Sequence, residues 1–165
     1  MTIANKKGFD PSDLSLENIQ VVKSHIDQQD YWKQAESGNR PSIKGYAVKM
    51  ANETGFNTEH HAGRIRLYIE ITGLAEDEQP AGIKGDFILD FHFHIYHTEK
   101  YFIQDKENSE VDAWLAANMM SVAYATARGI IWQLTAPTLL GGVIMPVIDA
   151  MKFLEQGKRE KETDG

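Results

Sequence analysis

Between Arg64 and Thr72 the chain alternates strictly, with Ile65, Leu67, Ile69 and Ile71 on one side and Arg64, Arg66, Tyr68 and Glu70 on the other. A period of two places every second side chain on the same face, so this run predicts a strand with one face on a core and one in water. After a polar stretch from Gly73 to Gly85 the period returns: Phe87, Leu89, Phe91, Phe93 and Ile95 oppose Asp86, Ile88, Asp90, His92, His94 and Tyr96. The two runs predict neighbouring antiparallel strands. Leu14–Ile26 and Ile43–Met50 alternate less regularly and are moderate in β-branched content; they supply two further strands, four in all. Asp27–Arg40, rich in Gln, Asp and Gly, reads as a long connection that the pair Tyr31-Trp32 anchors to the core.

Near Ser109 the period changes. Ser109-Glu110-Val111-Asp112 offers an N-cap with acidic residues in the first turn, where they complement the helix dipole. Trp114, Leu115, Met119, Val122, Thr126, Gly129, Ile130 and Gln133 then recur at three- and four-residue steps, predicting a long helix to about Leu134 that Pro137 must end. Pro146 suits a first helical position, and a second helix carrying Val147, Ile148, Met151, Phe153 and Leu154 is expected from there to Gly157. Strands first and helices afterwards predict an α+β domain: a four-stranded antiparallel sheet followed by one long and one short helix packed on one face. Residues 1–157 form this single domain, and 158–165 form a charged, frayed tail.

Composition narrows the classes of function. With 165 residues, 42% hydrophobic and 25% charged, the chain can bury a core without staples. It has no cysteine, which excludes disulfides, a thiol nucleophile and Cys-ligated metals, and fits an intracellular address. Met1 to Gly8 holds two lysines with no apolar run behind them, so no secretory signal is expected and the cytoplasm is the default. No 18-residue window is free of polar groups, so membrane insertion is not expected. Seventeen basic against 24 acidic residues leave a net charge of −7, which repels phosphate backbones and argues against a nucleic-acid partner.

One constellation could carry metal chemistry. His92 and His94 project from one strand face beside Asp90, and His60-His61 lies just ahead of the preceding strand, so a metal- or small-molecule-binding enzyme using this face is the alternative from a different class. A solvated or partner-facing sheet surface explains the same residues without metal. No nucleophile elbow, phosphate-cradling glycine loop or HExxH occurs. The chain is therefore read as a non-enzyme, with no catalytic residue, no metal ligand and no cofactor.

The connection Thr135–Met145 is apolar throughout and has no charge, which an ordinary solvated loop would not be. Either it is buried, in the monomer or under a neighbouring subunit, or it is a surface kept for apolar clients. On the second reading Leu139, Leu140, Val143, Ile144, Met145 and Phe153 bind clients, and Gly141-Gly142 lets the linker shift between them. Trp114, Met119, Trp132 and many alanines give the long helix more apolar circumference than one sheet face can cover, so these three residues are expected at an oligomer interface.

Ala123-Tyr124-Ala125-Thr126-Ala127-Arg128-Gly129-Ile130-Ile131, then Leu139-Leu140, then the run Met145 to Leu154, resembles the ending of the SecB family of export chaperones. The likeness covers about 35 residues, and the strand half agrees in order and spacing. It implies four antiparallel strands, a long and a short helix, and a homo-oligomer, dimer or dimer of dimers, with the long helices packed between pairs. It also implies a cytoplasmic holdase for unfolded or precursor polypeptides that delivers them to the SecA motor. Some relatives instead accompany a toxin–antitoxin system and protect its antitoxin.

Overall fold

The computed structural model describes residues 8–104 and 109–155. The strict alternation forms the two central strands of a sheet, β3 (Ala62–Leu74) and β4 (Pro80–Ile95). They pair antiparallel with Leu67 opposite Leu89 and Ile65 opposite Phe91, and their inward side chains from Ile65 to Ile71 and Phe87 to Ile95 are buried. β2 (Gly45–Asn57) pairs with the free edge of β3, and β1 (Leu14–Asp27) with that of β4, giving the order β1-β4-β3-β2. The weak alternation of β1 has a physical cause: its register shifts between Leu16 and Asn18 and again between Val21 and Lys23, and each shift interrupts the period of two.

Three boundaries differ from expectation. The predicted connection Asp27–Arg40 contains a helix, α1 (Gln29–Glu36), which drives Tyr31 into the core and leaves Trp32 half exposed. α1 lies so close on the sheet that a Cβ on Gly82 would sit 2.6 Å from the Tyr31 backbone nitrogen, and Gly82 also holds a positive φ of 82°, so only glycine fits there. Ser109 is not a helix cap. Ser109–Val111 forms a strand, β6, paired with β5 (Phe102–Gln104), and the long helix α2 (Ala113–Thr135) is capped by Asp112, whose carboxylate accepts from the amides of Trp114 at 2.8 Å and Leu115 at 3.2 Å.

The final helix, α3, is helical over residues 150–155 rather than from Pro146. Asp149 opens it, its carboxylate accepting from the amides of Met151 and Lys152, while Pro146 lies before it, outside the helix. Gly157, the tail 158–165 and the segment Met1 to Lys7 lie outside the described residues. Both α2 and α3 contribute to one core with the inner sheet face, through Leu115, Met119, Met120, Ala123, Ala127, Ile131 and Phe153. Among the described residues no helix is long and apolar enough to cross a membrane.

The start of β1 is tied to the turn after β4. Asp13, buried at the end of the 3-10 turn Pro11–Asp13, accepts from the Tyr101 hydroxyl at 2.7 Å and from Lys100 Nζ at 3.0 Å. These bonds, Tyr101 first, hold its carboxyl below the ordinary aspartate range.

Candidate functional site

From residue 136 to residue 148 the chain forms a strap across the inner face of the sheet beside β2. Thr138 and Gly141 close turns at its start, and Gly141 and Gly142 then hold φ values of 68° and 87°. These glycines reverse the chain instead of leaving it loose: the Trp132 indole covers Gly142 so closely that a Cβ there would meet Nε1 at 2.9 Å. The strap then alternates, with Val143 and Met145 buried and Ile144 63% exposed.

Side chains from both layers grip its backbone. Thr135 Oγ1 accepts from the Val143 amide at 2.7 Å while donating to the Ile131 carbonyl. The Tyr46 hydroxyl on β2 accepts from the Ile144 amide at 2.8 Å and donates to the Ile144 carbonyl at 3.3 Å. The Tyr124 hydroxyl donates to the Pro146 carbonyl at 2.6 Å, and burial pushes this phenol's pKa up. Farther on, Asn52 of β2 donates to the Phe153 carbonyl at 2.9 Å. A strap with no charged residue thus satisfies part of its backbone from fixed partners, which lets it stay apolar next to the core.

The six side chains expected to meet clients divide. Leu140, Val143, Met145 and Phe153 are buried within the chain, Leu140 packing over Gly73 and Gly85 on the sheet. Leu139 is half-buried and Ile144 is open. The strap's outer surface therefore presents Leu139, Ile144 and Val147, the last 83% exposed, beside Trp132 at the helix end. Beside Leu139 opens a cleft of about 350 Å³, lined also by Tyr31, Arg40, Pro41, Ser42 and Ile43. The sequence marks Tyr31 only as an anchor of the connection on the core and gives no sign of Arg40, because the composition of that segment conceals α1, which carries Tyr31 to the cleft.

The residues expected at an interface divide as well. Trp114 and Trp132 are 62% and 51% exposed, whereas Met119 is fully buried against Gly63 of β3 and belongs to the core. Across its 23 residues α2 carries a single charge, Arg128, so its outward face of Trp114, Ser121, Val122, Ala125, Gly129, Trp132 and Gln133 is uncharged.

On the opposite face of the sheet, Asp90 is 3% exposed and accepts two hydrogen bonds from Arg66, at 2.6 and 2.7 Å. This pairing holds its carboxyl below the usual range and commits it to β3. Of the expected solvated or partner-facing surface, Asp90 is the residue that the cross-strand arginine takes out of water. His92 and His94 project from this face; His94 stacks edge-on to Tyr96 with ring centroids 4.5 Å apart, and His61 bonds Thr98. Lys23 pairs with Asp86 on the same face. Among the described residues no three His, Asp or Glu side chains converge to hold a metal ion.

No family model matches the chain. No curated protein matches it in sequence. Among solved structures it is similar to a SecB-like chaperone from Mycobacterium tuberculosis in complex with a peptide from the HigA1 antitoxin, at TM-score 0.53 and 13% identity over 83% of this chain and 91% of that one. A protein of unknown function from Streptococcus agalactiae aligns at TM-score 0.42 and 12% identity over 81% of this chain and 97% of that one. The first likeness establishes a SecB-like fold.

Proposed function

We propose that the chain is a SecB-like holdase, a non-enzymatic cytoplasmic chaperone that holds extended polypeptide segments against the strap. The observation that carries this reading is an uncharged strap pinned to the core by backbone hydrogen bonds while Leu139, Ile144, Val147 and Trp132 face outward. A rigid apolar ledge suits client binding, because its own ordering cost is met in folding and not at each encounter. Covering one aliphatic side chain is worth roughly 1.5–3 kcal/mol, so a few such contacts hold a client weakly and with little selectivity. The net charge of −7 helps keep the loaded chaperone in solution.

The fold is shared with a SecB-like chaperone that carries an antitoxin peptide, which supports an antitoxin-like client more directly than delivery to SecA. The uncharged outward face of α2 supports a homo-oligomer, dimer or dimer of dimers, formed through Trp114 and Trp132. The test is dilution of a denatured protein into buffer with the chain present, followed by light scattering. The wild type suppresses aggregation, and Ile144→Ser combined with Val147→Ser keeps its circular dichroism and loses the effect. A wild type that leaves the scattering unchanged overturns the holdase reading.

A further inference from the structure

The cleft beside Leu139 has a feature that an apolar ledge does not require. Tyr31 is 4% exposed and lines the cleft together with Arg40, and its hydroxyl accepts a hydrogen bond from Arg40 Nε at 3.0 Å. A phenol that accepts still has one hydrogen to give, and among the described residues nothing accepts it. Arg40 uses Nε for that bond, forms no ion pair among the described residues, and so keeps its terminal N–H groups for another partner. The Tyr31 phenol and the Arg40 guanidinium therefore bring donors, with no carboxylate among the lining side chains, to a cleft whose other walls are Pro41, Ser42, Ile43 and Leu139.

We infer that this cleft seats a carboxylate flanked by an apolar side chain. The inference rests on the holdase reading and names a preference within it: client segments in which a hydrophobic residue stands next to an acidic one or next to a free C-terminus. A carboxylate accepts from the Tyr31 hydroxyl and the Arg40 guanidinium together, while the neighbouring side chain lies on Ile43 and Leu139. In a chain of net charge −7 this is a local exception to an acid-repelling surface, so it selects rather than attracts.

The test uses the full chain and three unstructured ten-residue peptides, measured by titration calorimetry. One is C-terminally amidated with a central Leu-Asp, one is amidated with Leu-Asn in its place, and the third keeps Leu-Asn and ends in Leu with a free carboxylate. Hydrogen bonds to a charged group predict that the Asp peptide binds about tenfold tighter than the amidated Asn peptide. The third peptide tells whether a chain end serves as well as a side chain; tightening there extends the preference, and its absence confines it to acidic side chains. Tyr31→Phe keeps the ring and removes the donor, and Arg40→Gln changes an exposed residue; each must abolish the discrimination without weakening the amidated Asn peptide. Equal binding of the Asp and amidated Asn peptides to the wild type, or a preference that survives Arg40→Gln, overturns the carboxylate seat. A chain that suppresses aggregation yet does not discriminate loses this inference alone, whereas a chain that neither binds peptide nor suppresses aggregation loses the holdase reading with it.

Discussion

The Tyr46 hydroxyl holds both backbone groups of Ile144, 98 residues away, accepting from its amide at 2.8 Å and donating to its carbonyl at 3.3 Å. One side chain on the outer strand β2 thereby fixes the middle of the strap, and with it the direction in which Ile144 points. Tyr46→Phe removes that grip and keeps the ring. It is expected to cost about 1 kcal/mol of stability, the net value of an ordinary hydrogen bond, and to speed hydrogen exchange at the Ile144 amide. Unchanged exchange there would show that the strap is held without Tyr46.

Gly142→Ala tests whether the glycine pair is a hinge or a fixed reversal. Its φ of 87° strains any L side chain, and a Cβ would stand 2.9 Å from Trp132 Nε1. The substitution is expected to cost at least about 1–2 kcal/mol and to alter the tryptophan emission as the indole is displaced. A variant with wild-type melting temperature and emission would mean that the segment is free to rearrange.

Leu140→Ala separates core from surface within the strap. Leu140 is 5% exposed and packs over Gly73 and Gly85, so truncation should cost about 2–5 kcal/mol in a denaturant titration. Ile144→Ala, at a position 63% exposed, should fall within about 0.5 kcal/mol of wild type.

The Asp13 cluster predicts an acid limb of stability. Tyr101 and Lys100 lower the folded-state pKa of Asp13 below its usual 3.8, so the stabilisation is present above that value and is lost as pH falls through the lower folded value. The bond to Asp13 in turn raises Lys100 above 10.5, so its share persists below 10.5 and is lost in stronger base. Asp13→Asn should be less stable than wild type at pH 7, and the gap should narrow as pH drops below about 3.8. A constant gap across an acid titration followed by circular dichroism would assign the effect to packing instead.

How much of this was legible depends on whether a signal is local. The inward faces of β3 and β4 could be read because Ile65 to Ile71 and Phe87 to Ile95 alternate without a break, and the end of α2 because Pro137 cannot continue a helix. α1 was hidden because Gln29–Glu36 is short and polar apart from three residues, its place decided by Tyr31 packing at Gly82, some fifty residues on. The helix start was misplaced at Ser109 because pairing with Phe102–Gln104, a tertiary event, claims Ser109–Val111 first. In the strap the lack of charge marked the segment, but which side chains turn inward depends on Tyr46, Tyr124 and Thr135, and no spacing encodes those partners.

The outward face of α2 supports the last prediction. A helix of 23 residues is roughly 35 Å long, and on a solvated helix of that length the face away from the core ordinarily carries several charges. Here that face offers Ser121, Val122, Ala125 and Gly129 between the exposed rings of Trp114 and Trp132. Among the described residues no neighbouring side chain lies within 4 Å of a Cβ built on Gly129, so its small size answers no packing need seen within the protomer. A second copy laid along this face would bury the indoles and make use of the small residues. Ala125→Glu places a charge at the centre of the face without touching the core, and a charge buried without a partner is strongly destabilising to an interface. In light scattering the wild type should give a multiple of 18.6 kDa, and Ala125→Glu should fall to the monomer mass while keeping its helical circular dichroism. A wild type that is monomeric at micromolar concentration, or a variant that stays assembled, would move any interface off α2.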